Sequence, residues 1–146
     1  MDWKNKVAVI TGAGGVLCGE IAKEYAAAGA KVALLDINLA AAQKVADEIK
    51  NAGGVAIAYK ADCLDKSSLQ AAHECVLKDL GACDLLVNGA GGNSPKGTAT
   101  KDTHCEMKEG DISFFDLEAG GVDFVFRLNF LSAFLTTQVF AGDMIG

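Results

Sequence analysis

The chain has 146 residues, 51% of them apolar and 22% charged, with 13 basic against 19 acidic residues and a net charge of −6. That length suits one domain, and that apolar fraction builds a core and excludes disorder. The acidic balance argues against nucleic acid or an anionic membrane surface as partner, and no apolar run of about 18 residues is evident to span a bilayer. Met1–Gly15 has too short an apolar stretch for a secretory signal. Five cysteines, an odd number with no Cys-x-x-Cys pair, point away from a disulfide framework or zinc knuckle and toward a reducing cytoplasm.

In chain order, Lys6–Thr11 is a short run with nearly every position apolar, as expected of a parallel strand covered on both faces. Lys31–Asp36, Val55–Ala61 and Cys83–Asn88 have the same character. Between them lie three stripes at helical spacing: Leu17, Ile21, Tyr25 and Ala28; Leu39, Ala42, Val45, Ala46 and Ile49; and Leu69, Ala72, Val76, Leu77 and Leu80. Asn38 and Asp65 stand at N-cap positions, and Gly29, Gly53 and Gly81 just past the helix ends. The pattern is β-α-β-α-β-α-β, an α/β fold of the Rossmann type: a doubly wound parallel sheet with helices on both faces.

Residues Gly89–Gly110 then read as a long loop holding the single proline, Pro95, on the substrate side of the sheet. Gly121–Ile145 reads as a helix, and all seven phenylalanines fall between Phe114 and Phe140. Apolar residues cover more than half of that helix, so it is expected to be buried on more than one side and to make an oligomer contact.

The stretch Thr11–Gly19 follows the first strand and opens the first helix. A dinucleotide pyrophosphate must come close to the backbone, which calls for residues without a Cβ, and its charge is met by free amides at the positive end of a helix. Gly12, Gly14 and Gly15 supply the turn, with Val16 and Leu17 the first helical amides. Alone, a glycine cluster is as well explained by a tight turn. Asp36, at the end of the second strand, tips the balance, because a carboxylate there accepts hydrogen bonds from the adenosine ribose. Ile37 and Asn38 follow it, with no Lys or Arg to meet a 2′-phosphate, so NAD is expected over NADP. Asp62 and Cys63 follow the third strand, Asn88, Gly89 and Ala90 the fourth, all where ligands of doubly wound sheets lie. For Asp62, capping a loop is as good a reading as touching adenine. For Asn88, holding neighbouring backbone is at least as good a reading as touching the cofactor.

These residues together resemble the short-chain dehydrogenase/reductase family, over the whole chain. Asn88-Gly89-Ala90-Gly91 looks like the family's Asn-Asn-Ala-Gly with Gly at the second place, and Asn129 matches its helix asparagine. The glycine loop departs from the commonest spelling, with Val16 and Cys18 at usual glycine positions. With Asn93-Ser94-Pro95-Lys96 and Leu128-Asn129-Phe130-Leu131, it is similar to a narrower branch described as D-mannonate oxidoreductases or fructuronate reductases. The resemblance implies hydride transfer between NAD and a small-molecule substrate, a sugar acid or polyol, and a catalytic role for Asn129 in organising a proton relay.

The family's chemistry also needs a Tyr-x-x-x-Lys pair. The only two tyrosines, Tyr25 and Tyr59, are followed at +4 by Gly29 and Cys63. The four strands also fall short of the usual six or so. Residues 1–146 are therefore expected to be the N-terminal part of one dinucleotide-binding domain, inactive alone, whose catalytic half lies further on. Two other readings stand beside this one: a non-catalytic dinucleotide-binding module, and a methyltransferase, against which the Thr-Gly start and the Asn-Gly-Ala-Gly motif count. His73 reads as a boundary residue rather than a ligand. His104-Cys105-Glu106, lacking a second cluster, is a poor metal site, and no metal is expected. Cys18, at a helix N-terminus, is a candidate for a lowered pKa, although close packing explains a small residue there as well. Lys96, Lys101, Lys108 and Arg127 are offset by nearby acids, so no basic patch is expected.

Overall fold

The computed structural model describes residues 2–101, 103 and 107–145. Four parallel strands, β1 (Val7–Thr11), β2 (Lys31–Asp36), β3 (Val55–Lys60) and β4 (Leu85–Val87), form one sheet in the order β3-β2-β1-β4. Three helices connect them: α1 (Val16–Ala27), α2 (Leu39–Asn51) and α3 (Lys66–Asp79). Val7 pairs with Lys31 and Lys31 with Val55, so the strands start level and their carboxyl ends share one rim. The expected α/β Rossmann-type architecture is what the chain adopts.

Local chemistry explains the boundaries. The Asn38 side chain accepts from Ala41 N–H at 3.2 Å and Asp65 from Ser67 N–H at 2.9 Å, capping α2 and α3. Gly29, Gly53 and Gly81 end the three helices with φ of 96°, 86° and 115°, a region closed to most side chains. Alternate residues of β1 and β2 serve two cores. Ala8, Ile10, Val32 and Leu34 pack with Ala22 of α1 and Ala46 and Ile49 of α2. Val9, Ala33 and Leu35 pack with Leu69 and Val76 of α3 and with Phe140. Each fully buried Leu or Ile contributes about 1.5–3 kcal/mol. At the amino rim Asp84 joins β4 to β1, accepting from Val7 N–H at 2.9 Å and Lys6 Nζ at 2.7 Å. Those bonds hold its carboxyl below the usual range.

The first helix departs from the sequence expectation. Its buried residues are Cys18, Gly19, Ala22 and Ala26, whereas Leu17 and Ile21 are exposed. Small residues let α1 lie close to the sheet, and only Tyr25 of the predicted stripe packs inward, edge-on to Trp3 at 5.1 Å. In the other two stripes Leu39 and Leu77 also face solvent.

Beyond β4, the long loop runs past its expected end. It contains short 3-10 turns at Pro95–Gly97 and Phe114–Asp116, the second closed by a Ser113–Asp116 capping box. Two glycines dock the first turn on the helix that follows: a Cβ on Gly97 would stand 2.7 Å from the Gly121 backbone. Glu118 N–H donates to the Lys96 carbonyl at 2.9 Å beside them.

The terminal helix begins as α4 (Ala119–Phe126), widens to a π turn at Arg127–Leu131, and continues as α5 (Ser132–Phe140) into a 3-10 turn, Ala141–Met144. At 26 residues it is long and apolar enough by length and composition to cross a membrane, which corrects the expectation that no such stretch exists. It is docked on the domain through Ser132, Thr136 and Phe140, all buried, with Phe140 edge-on to His73 at 4.9 Å. Within one chain only one side of the helix is covered by its own domain: Phe126 and Phe130 are 69% and 71% exposed. The helix buries a narrow stripe that is largely polar, and presents its aromatic side outward. His73 is a boundary residue, as expected, and meets Asp143 at 3.0 Å.

Candidate functional site

The strand ends and the loops after them enclose a cleft of about 640 Å³. Its floor is the turn after β1. Gly12 has φ of 64°, and a Cβ there would stand 2.9 Å from the Gly89 carbonyl and 3.0 Å from the Ala90 backbone. On Gly14 a Cβ would stand 2.7 Å from Ala41 Cβ and 3.1 Å from Asp36 Oδ2. The three loops thus meet at backbone distance only because these positions lack side chains.

This turn feeds α1, whose N-cap Gly15 has no side chain to cap the helix, in contrast to Asn38 and Asp65. The first-turn amides of Val16, Leu17 and Cys18 have no intrahelical partner, and all three residues line the cleft. A positive helix end beside a cradle of glycines is suited to a phosphate group.

Asp36 sits at the end of β2. Its Oδ2 accepts from Gly14 N–H at 2.9 Å and its Oδ1 from Asn38 N–H at 2.8 Å, leaving acceptor capacity on both oxygens. Ile37 and Asn38 flank it, and among the described residues no Lys or Arg lines the cleft. Past β3, Asp62 lines the cleft and also caps its own loop, accepting from Leu64 N–H at 2.8 Å. Past β4, Gly89 and Ala90 donate their amides to Thr11 Oγ1 at 3.0 and 3.1 Å, so the buried threonine hydroxyl fixes that wall.

Of the sequence-predicted cofactor residues, Gly12, Gly14, Gly15, Val16, Leu17, Asp36, Ile37, Asp62, Cys63, Gly89 and Ala90 line this cleft together. Asn88 does not. It is exposed and donates through Nδ2 to the Thr137 side chain at Oγ1, 3.0 Å away, on the terminal helix. Asn129 is also outside the lining, and it is exposed rather than buried as its apolar surroundings suggested. Its amide is nonetheless engaged: Nδ2 donates to the carbonyls of Gly92 at 2.7 Å and Val125 at 2.8 Å, and Oδ1 accepts from Gly92 N–H at 3.1 Å. The Asn38, Ala41, Leu64 and Leu128 lining escaped the sequence reading. Leu128 had a signal, standing next to Asn129, and Ala41 had one in being small a turn after an N-cap.

The thiols correct one expectation. Burial, with the Asp36 charge nearby, raises the Cys18 pKa instead of lowering it. The sulfur presses on Gly89, where no Cβ would fit. Burial likewise raises Cys63, and pushes Cys83 up to about 12. At pH 8 Cys75, which is exposed, should therefore alkylate with iodoacetamide well ahead of Cys18, Cys63 and Cys83. Mass mapping of a Cys105→Ser protein checks this, and early modification of Cys18 would contradict it.

Neither tyrosine lines the cleft. Tyr59 donates its hydroxyl to Asp79 at 3.2 Å, and burial holds its pKa far above the ordinary value, the reverse of what a general base needs. Lys96 and Lys101 are paired with Glu118 and Asp111, each at 2.9 Å. His104, Cys105 and Glu106 lie outside the described residues.

Residues 6–146 match the model of the short chain dehydrogenase family. An uncharacterized oxidoreductase of Haemophilus influenzae is 49% identical over 98% of this chain and 50% of its own length. A solved Haemophilus influenzae structure with bound NAD, provisionally named a D-mannonate oxidoreductase, is 48% identical. It superposes with a TM-score of 0.93 over 99% of this chain and 52% of that one. A metagenomic short-chain oxidoreductase in complex with NADP is 26% identical, with a TM-score of 0.79 over 99% of this chain and 58% of that one. The chain thus spans about half the length of the relatives it matches. With the glycine turn, the acid after β2 and the wall after β4 all converging on one cleft, the chain belongs to the short-chain dehydrogenase family.

Proposed function

We propose that the cleft holds NAD and that the residues serve an oxidoreductase moving a hydride between the nicotinamide and a sugar acid, with D-mannonate and D-fructuronate the candidate pair. The pyrophosphate rests on the amides of Val16 and Leu17, Asp36 accepts from the adenosine ribose hydroxyls, and Ile37, Asp62 and Cys63 border the adenine. Gly89 and Ala90 lie toward the second half of the cofactor. When bound, the nicotinamide supplies the hydride chemistry. Asn129 orients, by tying the helix to Gly92 at the edge of the site. The substrate class rests on the similarity to the NAD-bound Haemophilus influenzae protein and on the resemblance of this chain's own motifs to the D-mannonate oxidoreductase branch.

One observation carries the cofactor preference: the Asp36 carboxylate lines a cleft without a lysine or arginine. A 2′-phosphate there would face it uncompensated, a cost of about 4 kcal/mol per charge pair at ~4 Å and an effective dielectric of about 20, lowered by screening. Because the family also accommodates NADP, the preference comes from this residue and not from the fold. Calorimetric titration should give NAD at least about tenfold tighter than NADP, and Asp36→Asn should weaken NAD by about tenfold or more, the scale of a hydrogen bond to a charged group. Equal affinities for the two cofactors would overturn the preference. Lacking a Tyr-x-x-x-Lys pair, residues 1–146 bind without turnover. The exposed face of Phe126, Phe130 and Phe134 is the surface through which copies associate.

A further inference from the structure

The terminal helix meets the turn after β4 along a stripe of polar side chains. Asn129 grips the Gly92 backbone and Thr137 accepts from Asn88. Between them is Ser132, 1% exposed and outside the cleft lining. The π turn at Arg127–Leu131 breaks the regular helical ladder here, and two carbonyls take side-chain donors: Val125 from Asn129 Nδ2, and Leu128 from Ser132 Oγ. Ser132 Oγ also lies 3.4 Å from the Ala90 carbonyl. One hydroxyl proton serves one carbonyl at a time, so Ser132 stands between two backbone acceptors that compete for it.

Both acceptors belong to cleft-wall residues, Leu128 and Ala90. The Leu128 side chain stands 3.4 Å from where a Gly92 Cβ would be, closing that end of the cleft. The strand order places this end over β4, two strands away from Asp36 on β2. If the adenosine lies on Asp36, the part of the dinucleotide beyond the pyrophosphate runs toward Leu128 and Ala90.

We propose that Ser132 is a positioning residue for the nicotinamide half of the cofactor: from behind the wall, its hydroxyl fixes Leu128 and Ala90 while leaving the adenosine half untouched. This rests on the dinucleotide reading of the cleft. Removing the hydroxyl takes a donor from the Leu128 carbonyl and a contact from that of Ala90, and the wall loses the tie that fixes it.

The test is calorimetric titration of the full chain with NAD and, separately, with ADP, which reports the adenosine half alone. The native chain should bind NAD tighter than ADP. Ser132→Ala should weaken NAD by about threefold to tenfold and leave ADP unchanged, with Ser132→Cys, near-isosteric and a weaker donor, falling between. Equal losses for both ligands, no loss for either, or native binding of NAD no tighter than of ADP would each overturn the assignment. A native chain that binds neither ligand overturns the dinucleotide reading itself. If Ser132→Ala does not fold, Leu128→Ala asks the same question from the wall: loss of NAD with ADP retained supports the assignment, and retention of both ends it.

Discussion

Gly12→Ala is expected to lower stability by about 2–5 kcal/mol and to abolish dinucleotide binding, whereas Gly53→Ala costs about 1–2 kcal/mol and leaves binding intact. The two positions share a left-handed backbone, φ 64° and 86°, so both variants carry the same conformational strain. They differ in surroundings. Nothing lies within 4 Å of a Cβ on Gly53, while on Gly12 it would stand 2.9 Å from the Gly89 carbonyl. That neighbour is backbone, held by Thr11, and cannot turn aside. Urea denaturation and NAD titration of both variants separate strain from crowding. Equal shifts in midpoint would mean that the approach of the two loops does not set the floor of the cleft.

A second pair of substitutions separates the two sides of the terminal helix. Phe140 is fully buried against α3 and the sheet, and Phe140→Ala should destabilise the chain by about 3–5 kcal/mol. Phe130, 71% exposed, should tolerate alanine within about 0.5 kcal/mol. Light scattering adds the second measurement: replacing Phe126 and Phe130 together by serine should shift associated species toward monomer without moving the denaturation midpoint. A native chain that runs as a clean monomer would remove the association reading, and a small loss at Phe140 would mean that the helix is not anchored where the structure places it.

Much of this was legible in the sequence, for identifiable reasons. Strands covered on both faces leave uninterrupted apolar runs, so β2 falls on its expected residues, Lys31–Asp36. Capping is local chemistry, so Asn38 and Asp65 could be placed from their neighbours. The cleft was legible because strand ends and glycine turns mark it without reference to distant contacts. What escaped was tertiary. The side of α1 that packs inward is its smallest, since close approach to a sheet selects against bulk, and a search for large apolar residues finds the wrong side. The π turn leaves no mark in spacing, although Asn129 and Ser132 donate to the carbonyls of Val125 and Leu128 beside it. The Gly97–Gly121 contact joins residues from a loop and a helix, and neither glycine announces the other. The apolar spacing could not say which side faces the domain: the helix docks through serine and threonine whose hydroxyls return to its own carbonyls.

The excursion after β4 is closed at its base. Lys96 and Glu118 are joined by both a backbone bond and an ion pair, and further out Thr100 N–H donates to the Ile112 carbonyl at 2.9 Å. The Thr100–Ile112 bond is therefore a clasp that fixes where the intervening segment leaves and returns. Doubling the length of such a segment costs only about 0.6 kcal/mol of closure entropy. Grafting a differently sized excursion between those two residues should leave the Rossmann scaffold standing, which makes this the place where a common nucleotide platform can be refitted for new chemistry.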